Sequence, residues 1–200
     1  MARGVSGSTI KMLSRFADSQ HTIGECDMIR LFTTATFNSL DDLLQEQLED
    51  LYDAEKRLID ALPKMAEAAH SPALESAFRD HLRETQGHAR ILEDIFRLMN
   101  REPHRETCEA MKGLIAEGEE MVKAEGDPAV KDAALIAAAQ RVEHYEIAGY
   151  GTVRTFAHHL GYEEAASKLQ QILDEEKAAD KKLTTIAEEN INLVAAEHSR

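Results

Sequence analysis

The sequence predicts an all-α protein: a bundle of four long helices with a shorter helical crossover between the second and third core helices. Three observations carry this. From Ser39 onward the apolar residues recur at steps of three and four, the helical period. Period-two alternation of β-branched residues, which would mark strands, is missing. Ser71-Pro72 and Asp127-Pro128 each set an N-cap residue before a proline, and Gly126 and Gly161 stand where helices should end. At 200 residues, 43% apolar and 30% charged, the chain is sized for one globular body.

The first helix starts at Asn38 or Ser39, with Asp41 and Asp42 in the turn where the macrodipole favours anions. Its inward stripe is Leu44, Leu48, Leu51, Glu55, Leu58, Leu62 and Met65, and Pro63 is expected to kink its last turns. A tight turn near His70 opens the second helix, which runs to about Asn100 with Leu74, Phe78, His81, Thr85, His88, Leu92 and Ile95 inward. The amphipathic segment Glu106 to Glu125 is long enough to carry the chain from one end of a bundle to the other. The third core helix opens at Pro128 and ends before Gly161, with Leu135, Ala139, Val142, Glu143, Glu146, Tyr150 and Val153 inward. The fourth runs from about Glu163 to Leu193 over Leu169, Leu173, Glu176, Asp180, Leu183 and Ala187. Two helical hairpins joined by a crossover have the connectivity of ferritin-like four-helix bundles.

Residues 1–37 read differently. Arg3, Lys11, Arg15 and Arg30 face Asp18, Glu25 and Asp27 among scattered Gly, Ser and Thr with no sustained period. This leader is expected to be mostly disordered, and it lacks the apolar stretch and cleavage site of a secretory signal. The bundle domain then spans 38–195, with 196–200 as a flexible tail. The longest apolar run is seven residues, Ala133 to Ala139, far short of the roughly 20 that cross a bilayer. A net charge of −14 repels phosphate backbones and anionic membrane surfaces, which argues against nucleic-acid and membrane partners and favours cations. Cys26 and Cys108 form no zinc or redox motif and are too few for a disulfide scaffold, so a cytoplasmic location is expected.

Each inward stripe is interrupted by an acid or a histidine: Glu55 on the first helix, His81, Glu84 and His88 on the second, Glu143 and Glu146 on the third, Glu176 and Asp180 on the fourth. One such residue alone often reaches solvent from a stripe margin. Their heights make the set informative. Glu146 lies 15 residues before Gly161 and Glu176 lies 15 after it, so the two meet at one level. Glu55 lies 16 residues before Ser71, and Glu84 and His88 lie 13 and 17 after it.

Carboxylates packed into an apolar interior cannot all stay ionised without partners, because unpaired burial costs several kcal/mol per charge. No Lys or Arg occupies the stripes at these levels. Hard divalent ions solve the problem: oxygen-rich ligands with some imidazole suit iron or manganese, and opposing Glu residues can bridge two ions. His144 points away from Glu143 and Glu146 and reads as a surface residue. Tyr52 and Tyr150 are either donors to the carboxylates or ordinary core packing.

The body resembles the YciF-like stress proteins of bacteria, a ferritin-like family related in architecture to rubrerythrins. The resemblance rests on Asp53-Ala54-Glu55-Lys56, Ala61-Leu62-Pro63-Lys64 and His81-Leu82-Arg83-Glu84-Thr85-Gln86-Gly87. It continues through 132–140, Val142-Glu143-His144-Tyr145-Glu146-Ile147-Ala148 and Leu173-Asp174-Glu175-Glu176-Lys177, covering roughly Phe37 to Leu193. It implies a ferritin-like bundle, a homodimer, a dinuclear metal centre and an association with stress responses. The chain departs from the wider Glu-x-x-His pattern. Glu84 is followed by Gly87, with His88 one residue later, and Glu176 by Ala179, with Asp180 one later. His81-x-x-Glu84 has the step in reversed order, so the ligand on the second helix is His81 or His88.

The leading expectation is a protein holding two iron ions, or manganese, that cycle against peroxide or oxygen in an oxidase or peroxidase type of chemistry. Its ligands would come from Glu55, His81, Glu84, His88, Glu143, Glu146, Glu176 and Asp180. The alternative is a non-catalytic dimeric bundle whose polar layer fixes helix register or whose acidic face meets a partner. The crossover residues Met111, Leu114, Ile115, Met121 and Val122 form an apolar stripe expected to close a homodimer.

Overall fold

The computed structural model describes residues 36–197, which are helical apart from short connections. Of the leader expected at 1–37, residues 1–35 lie outside the described residues, as do 198–200 of the tail expected at 196–200. Helix α1 is Leu40–Ala68, α2 Pro72–Leu98, α3 Glu109–Lys123, α4 Pro128–His159 and α5 Glu163–Ile186. A π-helical turn, Ala187–Ile191, leads into the short α6, Asn192–Glu197. The helices α1 and α2 form one hairpin and α4 and α5 the other. Helix α1 also packs on α4, and α2 on α5, closing a four-helix bundle, while α3 packs on α1 and α4. Among the described residues no helix is long and apolar enough to cross a membrane.

The helix ends follow the local chemistry. Ser39 and Asp42 form a capping box at the start of α1, which continues through Pro63 to Ala68. Asp127 accepts from the Ala129 and Val130 amides at the start of α4. Gly161, with φ of 81°, takes the left-handed position after α4, and the Tyr162 amide donates to the Ala157 carbonyl. Asn100, with φ of 55°, ends α2 in the same way, and the Arg101 amide donates to the Phe96 carbonyl.

The crossover helix is shorter than its apolar pattern suggests, because tertiary contacts claim its first residues. Buried Asp53 on α1 accepts from the Arg105 side chain and the Cys108 amide, so the chain stays extended up to Cys108. Its stripe is used within the bundle: Met111 is buried, and Leu114, Ile115, Met121 and Val122 are half-buried against the core. The fourth core helix was expected unbroken from Glu163 to Leu193. The π turn instead interrupts it at Ala187, placing Ala187 and Ile191 in the core. Gly149 lies where a Cβ would stand 2.8 Å from Leu51 Cδ2, so its missing side chain lets α1 and α4 approach closely.

The apolar core is divided. One cluster gathers Leu44, Leu48, Leu92, Phe96, Val153 and Leu169 towards the Asn100 and Gly161 turns. The other gathers Leu58, Leu62, Leu74, Phe78, Leu135 and Leu183 towards the His70 turn. Between them lies a polar layer.

Candidate metal centre

Four helices supply that layer. Glu55 comes from α1, His81 and His88 from α2, Glu143 and Glu146 from α4, and Glu176 from α5, and all six are buried. Helical spacing explains the delivery: 143 and 146 lie at i and i+3, and 81 and 88 are two turns apart on one face. Glu55, His88 and Glu176 form one group; His81, Glu143, Glu146 and Glu176 form another. Within each group one potential ligand atom per residue lies within 4.8 Å of the others. Glu176 belongs to both groups, the placement of a carboxylate that bridges two ions.

The two histidines are turned in opposite senses. His88 directs Nδ1 inward, 3.4 Å from Glu55 Oε1 and 3.0 Å from Glu176 Oε1, while its Nε2 lies 2.8 Å from Glu175 Oε2. His81 directs Nε2 inward, 3.3 Å from Glu143 Oε1 and 3.8 Å from Glu176 Oε2, and its Nδ1 lies 3.3 Å from Glu84 Oε2. In each case an outer carboxylate orients the ring so that the other nitrogen faces the centre, as around metal-binding histidines. The Tyr150 hydroxyl donates to Glu55, and its ring packs edge-on against His88.

Eight inward atoms have no hydrogen-bond partner: Glu55 Oε2, His81 Nε2, His88 Nδ1, Glu143 Oε2, and both oxygens of Glu146 and of Glu176. The contacts of His81 Nε2 and His88 Nδ1 are of ion-pair length but lack hydrogen-bond alignment. Burial raises the Glu55, Glu143 and Glu146 carboxyls above their ordinary range, and repulsion from the Glu176 charge adds to it. Burial pushes Glu176 upward too, but the close imidazole of His88 and the charge of His81 outweigh it and hold its carboxyl below the usual value. Burial pulls His81 down, yet the surrounding carboxylates, Glu143 foremost, lift it to about 9. His88 is lifted against burial in the same way, by the carboxylates of Glu176 and Glu55 beside its Nδ1, to about 11. Six converging oxygen and nitrogen ligands with orphaned lone pairs fit a pair of divalent ions such as iron or manganese.

Of the eight sequence candidates, the structure brings six together and leaves two outside. Glu84 is half-exposed and meets the centre only through His81. Asp180, one turn beyond Glu176, accepts from Gln140 of α4 on the outer side of the bundle. His81 and His88 both face the centre, so the choice between them dissolves. Tyr150 touches a carboxylate of the centre, whereas the Tyr52 hydroxyl donates to Glu93 instead. Sequence reasoning passed over Glu175, which orients His88; the signal was its place beside Glu176, 100° round the helix towards α2. His144 is exposed, as its spacing predicts.

The Escherichia coli protein YciF is 46% identical to this chain over 155 residues, covering 77% of this chain and 93% of that protein. A crystal structure of the E. coli stress protein YciF matches with a TM-score of 0.76 at 45% identity, over 78% of this chain and 99% of that one. YcfI of Rhodopseudomonas palustris, named as a candidate structural protein, matches with a TM-score of 0.75 at 41% identity and the same coverage. The family model described as Domain of unknown function (DUF892) matches residues 39–196, nearly all of the bundle, and the chain belongs to that family.

Proposed function

We propose that this bundle is a cytoplasmic ferritin-like protein that holds two iron ions, or manganese, and handles peroxide, oxygen or iron under stress. The observation that carries the reading is the set of eight orphaned ligand atoms on six buried side chains. Buried acids without donors are costly, and among the described residues no Lys or Arg reaches them; protonated His81 and His88 offset part of their charge in the metal-free protein, and bound cations would offset it while using the orphaned oxygens as ligands. Bound ions would supply Lewis acidity and, for iron or manganese, one-electron redox chemistry. The chain's own residues do the rest. Glu176 spans both positions, Glu84 and Glu175 fix the two imidazoles, and Tyr150 holds Glu55 while keeping a hydroxyl proton beside the centre. The name of the E. coli relative, a stress protein, supports the physiological setting.

Reconstitution with Fe(II) under anaerobic conditions, followed by native metal analysis, should give about two ions per chain, and EDTA should lower the melting temperature. A native-state ligand at about 100 times its Kd contributes roughly 2.7 kcal/mol per site. Stoichiometry near zero with melting indifferent to EDTA overturns the reading. It would favour instead a bundle whose polar layer sets helix register, the role that the name of the R. palustris relative points to. The same proposal includes a two-fold homodimer. Sedimentation at about twice the 22.3 kDa chain mass supports it, and a clean monomer overturns it.

A further inference from the structure

A centre this enclosed needs a way in. Helix α3 packs on α1 and α4, so the seam between those helices is covered, and the α2–α5 seam lies on the opposite side of the bundle. There a cavity of about 90 Å³ descends from the surface to His81 and Glu143. One water needs roughly 10–15 Å³ of such space, so a partly hydrated ion fits. The small side chains of Ala77 and Ala179 keep the passage open, and Glu84 and Lys182 stand at its mouth, each about half-exposed. Lys182 is turned to Asp80 across the seam at 2.8 Å, an acid that also pairs with Arg83, while Glu84, which meets His81 on its inner side, is the carboxylate exposed at the mouth. The cavity touches neither Glu55 nor His88. On their side Glu175, which holds His88, is itself held by Gln171 at 2.9 Å.

Resting on the two-ion reading, we propose that the α2–α5 opening is the port for divalent cations and that Glu84 is the first ligand each ion meets. The ion passes from Glu84 to the His81, Glu143, Glu146 and Glu176 position, and the Glu55, His88 and Glu176 position fills second, through the shared Glu176. Glu84 is thus a docking carboxylate rather than a resident ligand, which accounts for its exposure and for its lying outside both groups.

Stopped-flow absorbance of Co(II) uptake by the metal-free full chain tests this. Glu84→Gln keeps an acceptor for His81 and removes the charge. It should slow the fast phase at least fivefold at low ionic strength, while leaving the final stoichiometry at saturating Co(II) and the helix content of the metal-free chain unchanged. Added salt should slow the parent more than the variant, since steering by an exposed charge is screened. Ala179→Leu should slow both phases, whereas Ala116→Leu, on the exposed face of α3, should slow neither. Parent-like rates in Glu84→Gln and Ala179→Leu overturn the port and leave the two-ion reading standing. Loss of an ion in Glu84→Gln makes Glu84 a resident ligand and also overturns the proposal. If Ala179→Leu fails to fold, the rate and salt response of Glu84→Gln decide alone. A parent that takes up no Co(II) removes the two-ion reading and the port together.

Discussion

Asp53 and Asp132 are 3% and 2% exposed, and Glu146 and Glu176 are fully buried, yet the two pairs meet burial in different ways. On the flank of the bundle Asp53 accepts from Arg57, from Arg105 at 2.9 Å and from the Cys108 amide at 2.9 Å. At the His70 end Asp132 accepts from the His70 and Ser71 amides at 2.9 and 2.7 Å, tying α4 to the α1–α2 turn. At mid-bundle no oxygen of Glu146 or Glu176 has a hydrogen-bond donor. A buried carboxylate surrounded by donors holds the fold together, whereas one aimed at other carboxylates stores repulsion that only a cation or a proton relieves. Asp53 is held below its usual value despite burial by its bonds to Arg57 and the Cys108 amide, whereas burial and the charges of Glu176, Glu55 and Glu143 raise Glu146; Glu176 escapes that rise only through the nearby imidazoles of His88 and His81.

Substitutions in the two regions should therefore differ in sign. Asp53→Ala leaves the buried Cys108 amide without its acceptor and removes ion pairs to two partly exposed arginines, so unfolding should become easier by about 2–3 kcal/mol, with or without metal. Urea denaturation of both forms measures it; a loss confined to the metal-loaded form would erase the distinction between the regions. Glu146→Leu should do the opposite in metal-free protein, raising stability by about 1–3 kcal/mol because a buried carboxyl without hydrogen-bond partners gives way to an apolar side chain. The same variant should lose the stabilisation that added metal gives the parent at one position. If Glu146→Leu destabilises the metal-free chain as strongly as Asp53→Ala does, the mid-bundle acids are structural and the metal reading weakens. Asp132→Asn keeps one acceptor oxygen of the two, so a loss of about 1–2 kcal/mol is expected, read as a lower urea midpoint.

The smallest effect concerns the flank at high pH. Burial lifts the Cys108 thiol to about 11, although its bonds with the Tyr145 hydroxyl and the Met111 amide pull the other way. A folded-state value above the unfolded one, near 9, stabilises the fold fully below pH 9 and loses that contribution as pH rises towards 11. Parent stability should fall by about 1–3 kcal/mol across that window from this source, and Cys108→Ala should flatten the slope. Parallel pH profiles for the two proteins would remove Cys108 from the account.

The helices, their order and their caps were legible because each is a local matter. A repeat of three and four, an Asp or Ser before proline and a glycine past the last turn act within a few residues of chain. Counting residues from the two turns also put Glu146 level with Glu176, since rise per residue is fixed along a straight helix. Acids and histidines facing one another from four stripes, and with them a candidate site for cations, could be read that way.

What the sequence could not settle were the directions of side chains at the edge of a stripe and the contacts between distant segments. Glu84 and Asp180 share helix faces with true inward residues, but a few tens of degrees of helix rotation send one to the port and the other to Gln140. That rotation is set by packing between helices, α2 against α1 and α5, and α5 against α4 and α2. The start of α3 was decided by Asp53, more than 50 residues away, reaching the Cys108 amide. The π turn at Ala187, which goes with burial of Ala187 and Ile191 in the second core cluster, has no counterpart in the local periodicity. Periodicity determines that a helix has an inward face; only the assembled bundle decides which side chains on its margin turn in, because that depends on partners the local sequence does not contain.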